Sequence, residues 1–341
     1  ATDSPGRDRN PIQNITALGD IGRLKLSNRI VMRIEVERNR PPSHLLREAS
    51  FNLYRTKRWM AVDARFEPLT PVSDGRTWDL AAGRIGSYLE ISTRLQKGAG
   101  VLSLPLGAVR IENLPAERLE RNSFGAVRVH GGPGVVRYRV LCGPGAARDA
   151  SPGPGDRLLP PSEASAVRQI VDRLGLNAVN PVEAAKRLND FFQRDFTYSL
   201  DLEGSGWGQT PVENFLTRSR RGHCELFATA AVLILRAAGI PARYASGYLM
   251  HEFSRLEGAY IVRARHGHAW VLAYIDGAWR DVDPTPASWP QHEQAAAPLM
   301  EPLYDLVRWA GFRISRWRWM EREGGIPGWA IWLAVPLGVL V

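Results

Sequence analysis

The chain has 341 residues, of which 44% are hydrophobic and 23% charged. These ordinary values exclude disorder along the whole length and are enough for two domain cores. The formal net charge is +9, but basic and acidic residues alternate without a long basic run, which disfavours a nucleic-acid surface and favours a solvated one or one facing anionic lipid or cell-wall polymer. The two cysteines, Cys142 and Cys224, are too few for a disulfide framework.

Residues 1–142 are predicted to form a β-rich, sandwich-like domain. Apolar residues alternate with polar ones from Ile30 to Val36 and again from Val136 to Cys142, a period typical of half-buried antiparallel strands. Further strand candidates are 49–54, 87–95 and 101–104, with Gly and Pro between them. Frequent short strands of this kind favour a sandwich or barrel, and nothing in the region indicates chemistry.

A Gly/Pro/Ala-rich stretch, residues 143–156, is predicted to be a linker. After it the apolar period becomes helical, first at Val167, Ile170, Val171 and Leu174. Two further helices are predicted to begin at Asn180 and Thr210, each followed by a proline and, three residues after the cap, a glutamate.

The next helix carries Cys224 at its beginning and ends at Gly239 and Pro241. Strands are predicted after it at 242–249, 259–265, 268–275 and 279–283, the last two joined by Asp276-Gly277, a strong hairpin signal. The whole chain is therefore predicted to be α+β, with an all-β region followed by helices and an antiparallel sheet over residues 157–290.

Cys224 and the hairpin together suggest a reactive site. A helix N-terminus lowers a thiol pKa from about 8.5 toward a range of about 3.5 to 7.5. With Asp276-Gly277 as the loop, Ile275 pairs with Ala278, which puts His268 and Asp283 on one face as diagonal neighbours. Such neighbours are about 7–8 Å apart at Cα, within reach of a histidine–carboxylate hydrogen bond.

These residues stand in recognisable motifs. Three blocks of the sequence closely resemble the transglutaminase-like core. They are Gly222-His223-Cys224-Glu225 through Arg243 to Gly247-Tyr248, then His268-Ala269-Trp270-Val271, then Trp279 and Val282-Asp283-Pro284-Thr285. The three blocks follow the family's order and separations and cover roughly residues 160–290. The rest of the chain resembles a branch of bacterial inner-membrane proteins in which an extracytoplasmic transglutaminase-like region follows a β-rich segment with a motif like 46–59.

The resemblance implies Cys224 as nucleophile, His268 as general base and acid, and Asp283 as the carboxylate that orients the histidine. The expected reaction is acyl transfer from an amide, on a protein or cell-wall peptide substrate, to an amine or to water, without metal or cofactor. The backbone N–H of Cys224 would bind the oxyanion, with Trp207 or Gln209 as candidate second donors. The alternative is a catalytically silent module that binds peptide as a scaffold in the cell envelope.

Two other roles for these residues are disfavoured. A disulfide between Cys142 and Cys224 would disable the site, and the strand position of Cys142 fits a buried core residue. His266 and His268 with Cys224 could hold a metal ion, but no further cysteine or close carboxylate pair supports this.

The C-terminal residues predict contact with a membrane. Residues 326–341 contain no charged side chain and are interpreted as the beginning of a transmembrane helix. Residues 291–325 are interpreted as a linker with an interfacial helix, rich in Trp and Arg over 305–322. The positive-inside rule would put those arginines in the cytoplasm, whereas the resemblance implies the extracytoplasmic side of the bacterial inner membrane, which we favour.

Overall fold

In a computed structural model of the chain, the described residues are 15–37, 41–72, 74–144, 149–200, 209–287 and 289. All of them belong to one unit of the fold, Ala1–Glu293. The helices of these residues are α1 (Asp20–Leu24), α2 (Pro161–Leu174), α3 (Pro181–Asp195), α4 (Pro211–Asn214) and α5 (Cys224–Ala237).

The strands before residue 143 are short and numerous. They are β1 (Ile15–Ala17), β2 (Ile30–Val36), β3 (Leu45–Phe51), β4 (Leu53–Arg55), β5 (Arg58–Met60), β6 (Phe66–Leu69), β7 (Trp78–Asp79), β8 (Ser87–Arg94), β9 (Gly100–Val101), β10 (Ala108–Glu112), β11 (Arg118–Asn122), β12 (Val127–His130) and β13 (Val135–Cys142). The strands after it are β14 (Thr197–Tyr198), β15 (Arg221–Gly222), β16 (Ala242–Leu249), β17 (Glu252–Ser254), β18 (Ala259–Arg263), β19 (Gly267–Ile275) and β20 (Ala278–Val282).

The N-terminal β region is a sandwich. A seven-stranded sheet of order β17-β18-β2-β8-β13-β10-β7 and a four-stranded sheet of order β6-β11-β12-β9 contribute to one hydrophobic core. The predicted alternation is confirmed at Ile34, Val136 and Val140, whose side chains are buried there. The strand expected over 101–104 is shorter, because β9 ends at Val101 and Leu104 forms an isolated bridge with Arg47 instead.

The helices begin where their capping residues predict. The Asn180 side chain accepts a hydrogen bond from the Glu183 N–H at 2.9 Å, and Thr210 Oγ1 accepts one from the Glu213 N–H at 3.0 Å. These bonds satisfy first-turn amides that the helix cannot satisfy itself. At the other end of α5, Gly239 has φ +81°, a left-handed conformation that glycine adopts without strain.

Another four-stranded sheet, of order β20-β19-β16-β3, supports the candidate site. Helix α5 packs on it, and Phe227, Ala231 and Leu235 share a core with Ala269 and Val271. Strand β3 comes from the N-terminal region and approaches closely at Gly247, where an ideal Cβ would lie 2.0 Å from the carbonyl oxygen of Leu46. A side chain there would exclude β3, so glycine is required.

Strands that precede residues 143–156 in the sequence therefore pair with strands that follow them. β3 pairs with β16, and β18, which follows the helices, pairs with β2 of the sandwich. β18 ends at Arg263 because 264–266 form a 3-10 turn, where the sequence predicted a strand to Arg265. The proposed division into domains 1–142 and 157–290 remains a prediction.

Buried ion pairs connect these parts of the chain. The Arg243 guanidinium donates to both carboxylate oxygens of Asp156 at 2.8 and 2.9 Å, and Arg47 donates to both oxygens of Asp149 at 2.9 and 2.6 Å. All four side chains are at most 2% exposed. Since a buried charge without a partner is costly, each member depends on the other.

Among the described residues, no helix has the length and apolar character needed to span a membrane. The predicted interfacial helix at 305–322 and the predicted span at 326–341 lie outside the described residues.

Candidate active site

Cys224 is the first residue of α5, as the sequence predicts, and its side chain is fully buried. His223 is the N-cap residue, and its Nδ1 accepts a hydrogen bond from the Glu225 N–H at 3.3 Å. The amides of the first turn point toward the N-terminus and favour negative charge there. A thiolate at this position is thus stabilised by the helix itself.

The β19–β20 hairpin brings His268 and Asp283 together. The predicted register is confirmed, with Ile275 opposite Ala278 and Val271 opposite Val282. Asp276 and Gly277 have φ values of +51° and +76°, as a tight two-residue hairpin turn requires. The result is a hydrogen bond of 2.8 Å between His268 Nε2 and Asp283 Oδ2.

Asp283 is itself oriented by the backbone, because its Oδ1 accepts a hydrogen bond from the Thr285 N–H at 3.0 Å. Because Asp283 engages Nε2 of His268, Nδ1 is the ring nitrogen that remains for another partner. This Nδ1 is buried.

The electrostatics favour a thiolate–imidazolium pair. Burial raises the pKa of Cys224, but the charge of Lys25 and the interactions with His223 and His268 outweigh it and hold that pKa well below its ordinary value. Burial lowers the pKa of His268, but the Asp283 carboxylate and Cys224 outweigh it and raise that pKa to about 9. Burial likewise raises the pKa of Asp283, and the His268 charge and hydrogen bond bring it below its usual range.

Two tryptophans lie against His268. Trp289 stacks on the imidazole with ring centroids 4.6 Å apart and planes at 11°, and Trp270 stacks at 6.0 Å and 18°. Trp270 belongs to the predicted motif, whereas Trp289 and Lys25 were not predicted from the sequence. No local pattern marks either residue, because both reach the site through tertiary packing.

The second oxyanion donor stays a prediction. Trp207 lies outside the described residues, and Gln209 directly precedes Thr210, the N-cap residue of α4, with its Oε1 buried.

No disulfide joins Cys142 and Cys224, which lie in different cores: Cys142 in that of the sandwich, and Cys224 in that formed by α5 and its sheet. His266 lies in the 3-10 turn, where its Nδ1 accepts a hydrogen bond from the Arg263 N–H at 3.2 Å. Over the part of the chain that the structure describes, no three His, Cys, Asp or Glu side chains are grouped closely enough to hold a metal ion.

Comparison with known proteins agrees with the fold and the motifs. Residues 168–284 match the model of the transglutaminase-like superfamily. The chain is 28% identical over 302 residues to a protein-glutamine gamma-glutamyltransferase of Pseudomonas aeruginosa, covering 85% of this chain and 43% of that protein. It is 30% identical over 134 residues to the uncharacterized protein YebA of Bacillus subtilis, covering 37% of this chain and 18% of that protein.

Among solved structures, the fold resembles the periplasmic domain of TgpA from Pseudomonas aeruginosa. The TM-score is 0.64 at 23% sequence identity, over 83% of this chain and 96% of that one. Residues 168–284 thus form a transglutaminase-like domain. It spans less than half the length of the two curated relatives described above.

Proposed function

We propose that this protein catalyses thiol-dependent acyl transfer through Cys224, His268 and Asp283. The observation that carries the proposal is the 2.8 Å hydrogen bond from His268 to Asp283 in a hairpin packed on α5, whose first residue is Cys224. This is the order of nucleophile, base and orienting carboxylate that acyl transfer requires.

In the proposed reaction the Cys224 thiolate attacks the carbonyl carbon of an amide, and the oxygen becomes an oxyanion near the first-turn amides of α5. His268 donates its proton to the leaving nitrogen as the C–N bond breaks, which releases ammonia or an amine and leaves a thioester. An incoming amine or water then attacks the thioester, His268 takes the proton of that nucleophile, and the thiolate is regenerated. Because Cys224 is fully buried, binding of the acyl donor requires a local opening at the site.

We favour a glutamine side-chain amide as acyl donor and a primary amine as acceptor, with a protein or cell-wall peptide as the substrate. The support is the transglutaminase-like domain together with the similarity to the Pseudomonas aeruginosa protein-glutamine gamma-glutamyltransferase. Water as acceptor would instead make the protein an amidase or a protease.

The test is incubation of the chain with a glutamine-bearing peptide and a labelled primary amine, with ammonia and incorporated label measured together. Transamidation predicts both, and hydrolysis predicts ammonia without label. Cys224→Ala should abolish both signals, while Cys142→Ala, a matched change in the other core, should retain them. Peptide binding without ammonia release, unchanged by Cys224→Ala, would contradict catalysis and support the silent scaffold.

We further propose an extracytoplasmic location at the bacterial inner membrane, with residues 326–341 beginning a membrane span. Support comes from the absence of charge over those residues and the Trp/Arg-rich stretch before them, together with the likeness to a periplasmic domain. The full chain should bind anionic vesicles, and a chain ending at Glu301 should remain active without binding them. Equal vesicle binding by both chains, or loss of the fold in the shorter one, would contradict this proposal.

A further inference from the structure

Lys25 is a buried cation beside the candidate active site, although it lies far outside the superfamily domain. It directly follows α1, and it is only 8% exposed. Its Nζ lies 4.1 Å from the centroid of the Trp289 ring, and that ring stacks on His268 at 4.6 Å. A single indole therefore connects the ammonium group to the imidazole of the candidate base.

Helix α1 is anchored to the residue that follows the candidate nucleophile. The Glu225 carboxylate is fully buried, and its Oε2 accepts hydrogen bonds from the N–H groups of Gly19 at 2.9 Å and Gly22 at 3.3 Å. The segment that carries Lys25 is therefore attached directly to the first turn of α5.

The other side of the segment is anchored to the turn before β19. The Ser27 carbonyl accepts a hydrogen bond from the Arg265 N–H at 3.0 Å, and the Arg29 carbonyl accepts one from the Ala264 N–H at 2.8 Å. Leu24 packs so closely on Gly267 that an ideal Cβ there would lie 3.1 Å from Leu24 Cδ1. These contacts hold Lys25 between α5 and the strand that carries His268.

The charge of Lys25 acts on the thiol of Cys224. Burial raises the pKa of Cys224, and among the influences that lower it the charge of Lys25 is the largest. Burial lowers the pKa of His251 and brings that of His266 to about 2, so both rings are neutral at physiological pH.

Other charged groups of the described residues around the site also form contacts. The Arg265 guanidinium is bonded to Asn28 and faces Glu252, and Asp283 is bonded to His268. His223 and Glu225 face each other at 3.4 Å across the first turn of α5. Burial of an ammonium group is costly unless an anion or an aromatic face compensates it, and the Trp289 ring supplies an aromatic face.

We propose that Lys25 is a positioning residue for the acyl transfer proposed above, on which this inference rests. Its ammonium charge, held against Trp289 by helix α1, keeps Cys224 in the thiolate form. The N-terminal segment 15–29 would then complete the electrostatics of a site whose nucleophile, base and orienting carboxylate all come from the superfamily domain.

The experiment is a pH profile of Cys224 alkylation by iodoacetamide in the full chain, followed by peptide mass spectrometry with Cys142 as internal reference. Lys25→Met should raise the apparent pKa of the thiol and slow alkylation of Cys224 at pH 6 by about tenfold or more. Lys25→Arg, which keeps the charge, should restore most of the rate. Arg23→Met is the matched control, because Arg23 lies on the same helix with its side chain 83% exposed, and it should behave as wild type.

The proposal would be overturned if the apparent pKa of the Cys224 thiol in folded Lys25→Met equalled that of the wild type. An equally raised thiol pKa in the Met and Arg variants would also overturn it. If Lys25→Met does not fold, Lys25→Gln replaces it under the same criteria. Unfolding of both neutral variants even in a Cys224→Ala background, where no thiolate exists, would assign Lys25 a purely structural role and also overturn the proposal.

Failure of this proposal can be distinguished from failure of the proposed acyl transfer, because alkylation of Cys224 requires no acyl donor. A low wild-type thiol pKa without ammonia release would reject acyl transfer. Ammonia release at the wild-type rate by Lys25→Met, with the thiol pKa unchanged, would reject the role of Lys25 alone.

Discussion

His268 Nε2 lies 2.8 Å from Asp283 Oδ2, although the two residues are 15 positions apart on different sides of a hairpin. In the proposed acyl transfer, this bond would leave Nδ1 to exchange a proton with Cys224, so Asp283 would determine both the orientation of the ring and the nitrogen that reacts. The site and the core that supports it can be tested by four predictions.

The first prediction concerns Asp283→Asn. The amide keeps the size of the side chain but removes the charge that stabilises protonated His268, so kcat should fall by about 10²-fold or more while the fold is retained. Ammonia release and thermal unfolding measure the two effects. Full activity in this variant would leave at most a Cys–His pair as the catalytic group.

A second prediction concerns thiol reactivity. Cys142 and Cys224 are both buried, at 2% and 0% exposure, so the pH dependence of each alkylation rate is measured together with the rate, because it reports the fraction of thiolate separately from access. Cys224 should react with limiting iodoacetamide at least about tenfold faster than Cys142. Substitution of His268 by Ala should remove most of that advantage, and equal rates in the wild type would argue against a thiolate nucleophile.

The pH profile of activity gives a third prediction. The productive form combines the Cys224 thiolate with protonated His268, whose pKa is about 9. Because loss of this proton removes the general acid, kcat/KM should fall as pH rises through about 9, and its acidic limb should lie well below the usual thiol range. In Asp283→Asn the alkaline limb should move to lower pH, since the carboxylate that raises the His268 pKa is gone. An alkaline limb unchanged by that substitution would contradict the assignment.

The fourth prediction tests the buried ion pairs under the site. Asp156→Asn removes the carboxylate that is hydrogen-bonded to the Arg243 guanidinium, which is 1% exposed and keeps only the longer ion pair with Asp149 at 3.6 Å. The substitution should lower the free energy of unfolding by about 3 kcal/mol, the lower end of the cost of breaking a buried pair. The control is Asp79→Asn, which breaks the exposed pair with Arg110 and should cost less than about 1 kcal/mol. Denaturant titration compares the two variants, and similar losses would mean that burial does not govern these pairs.

Residues that are close together in the sequence determine much of this structure. The register of the β19–β20 hairpin, and with it the His268–Asp283 pair, depends on the two-residue turn at Asp276 and Gly277, whose positive φ values few other residues adopt. The beginnings of α3, α4 and α5 depend likewise on residues within one helical turn. Interactions over so short a distance along the chain are visible in the sequence itself.

Only the tertiary structure determined the contacts between residues that lie far apart in the sequence. The sequence did not indicate that β3 would join the sheet under α5 or that β18 would join the sandwich. It also did not indicate that Trp289 would stack on His268 or that Lys25 would lie against the Trp289 ring. Each of these contacts depends on which apolar faces pack together and on close approaches such as Leu46 to Gly247. The alternating pattern of a strand shows which of its faces is buried, but not which strand or helix packs against it. Many different pairings would bury that face equally well until the whole core is assembled.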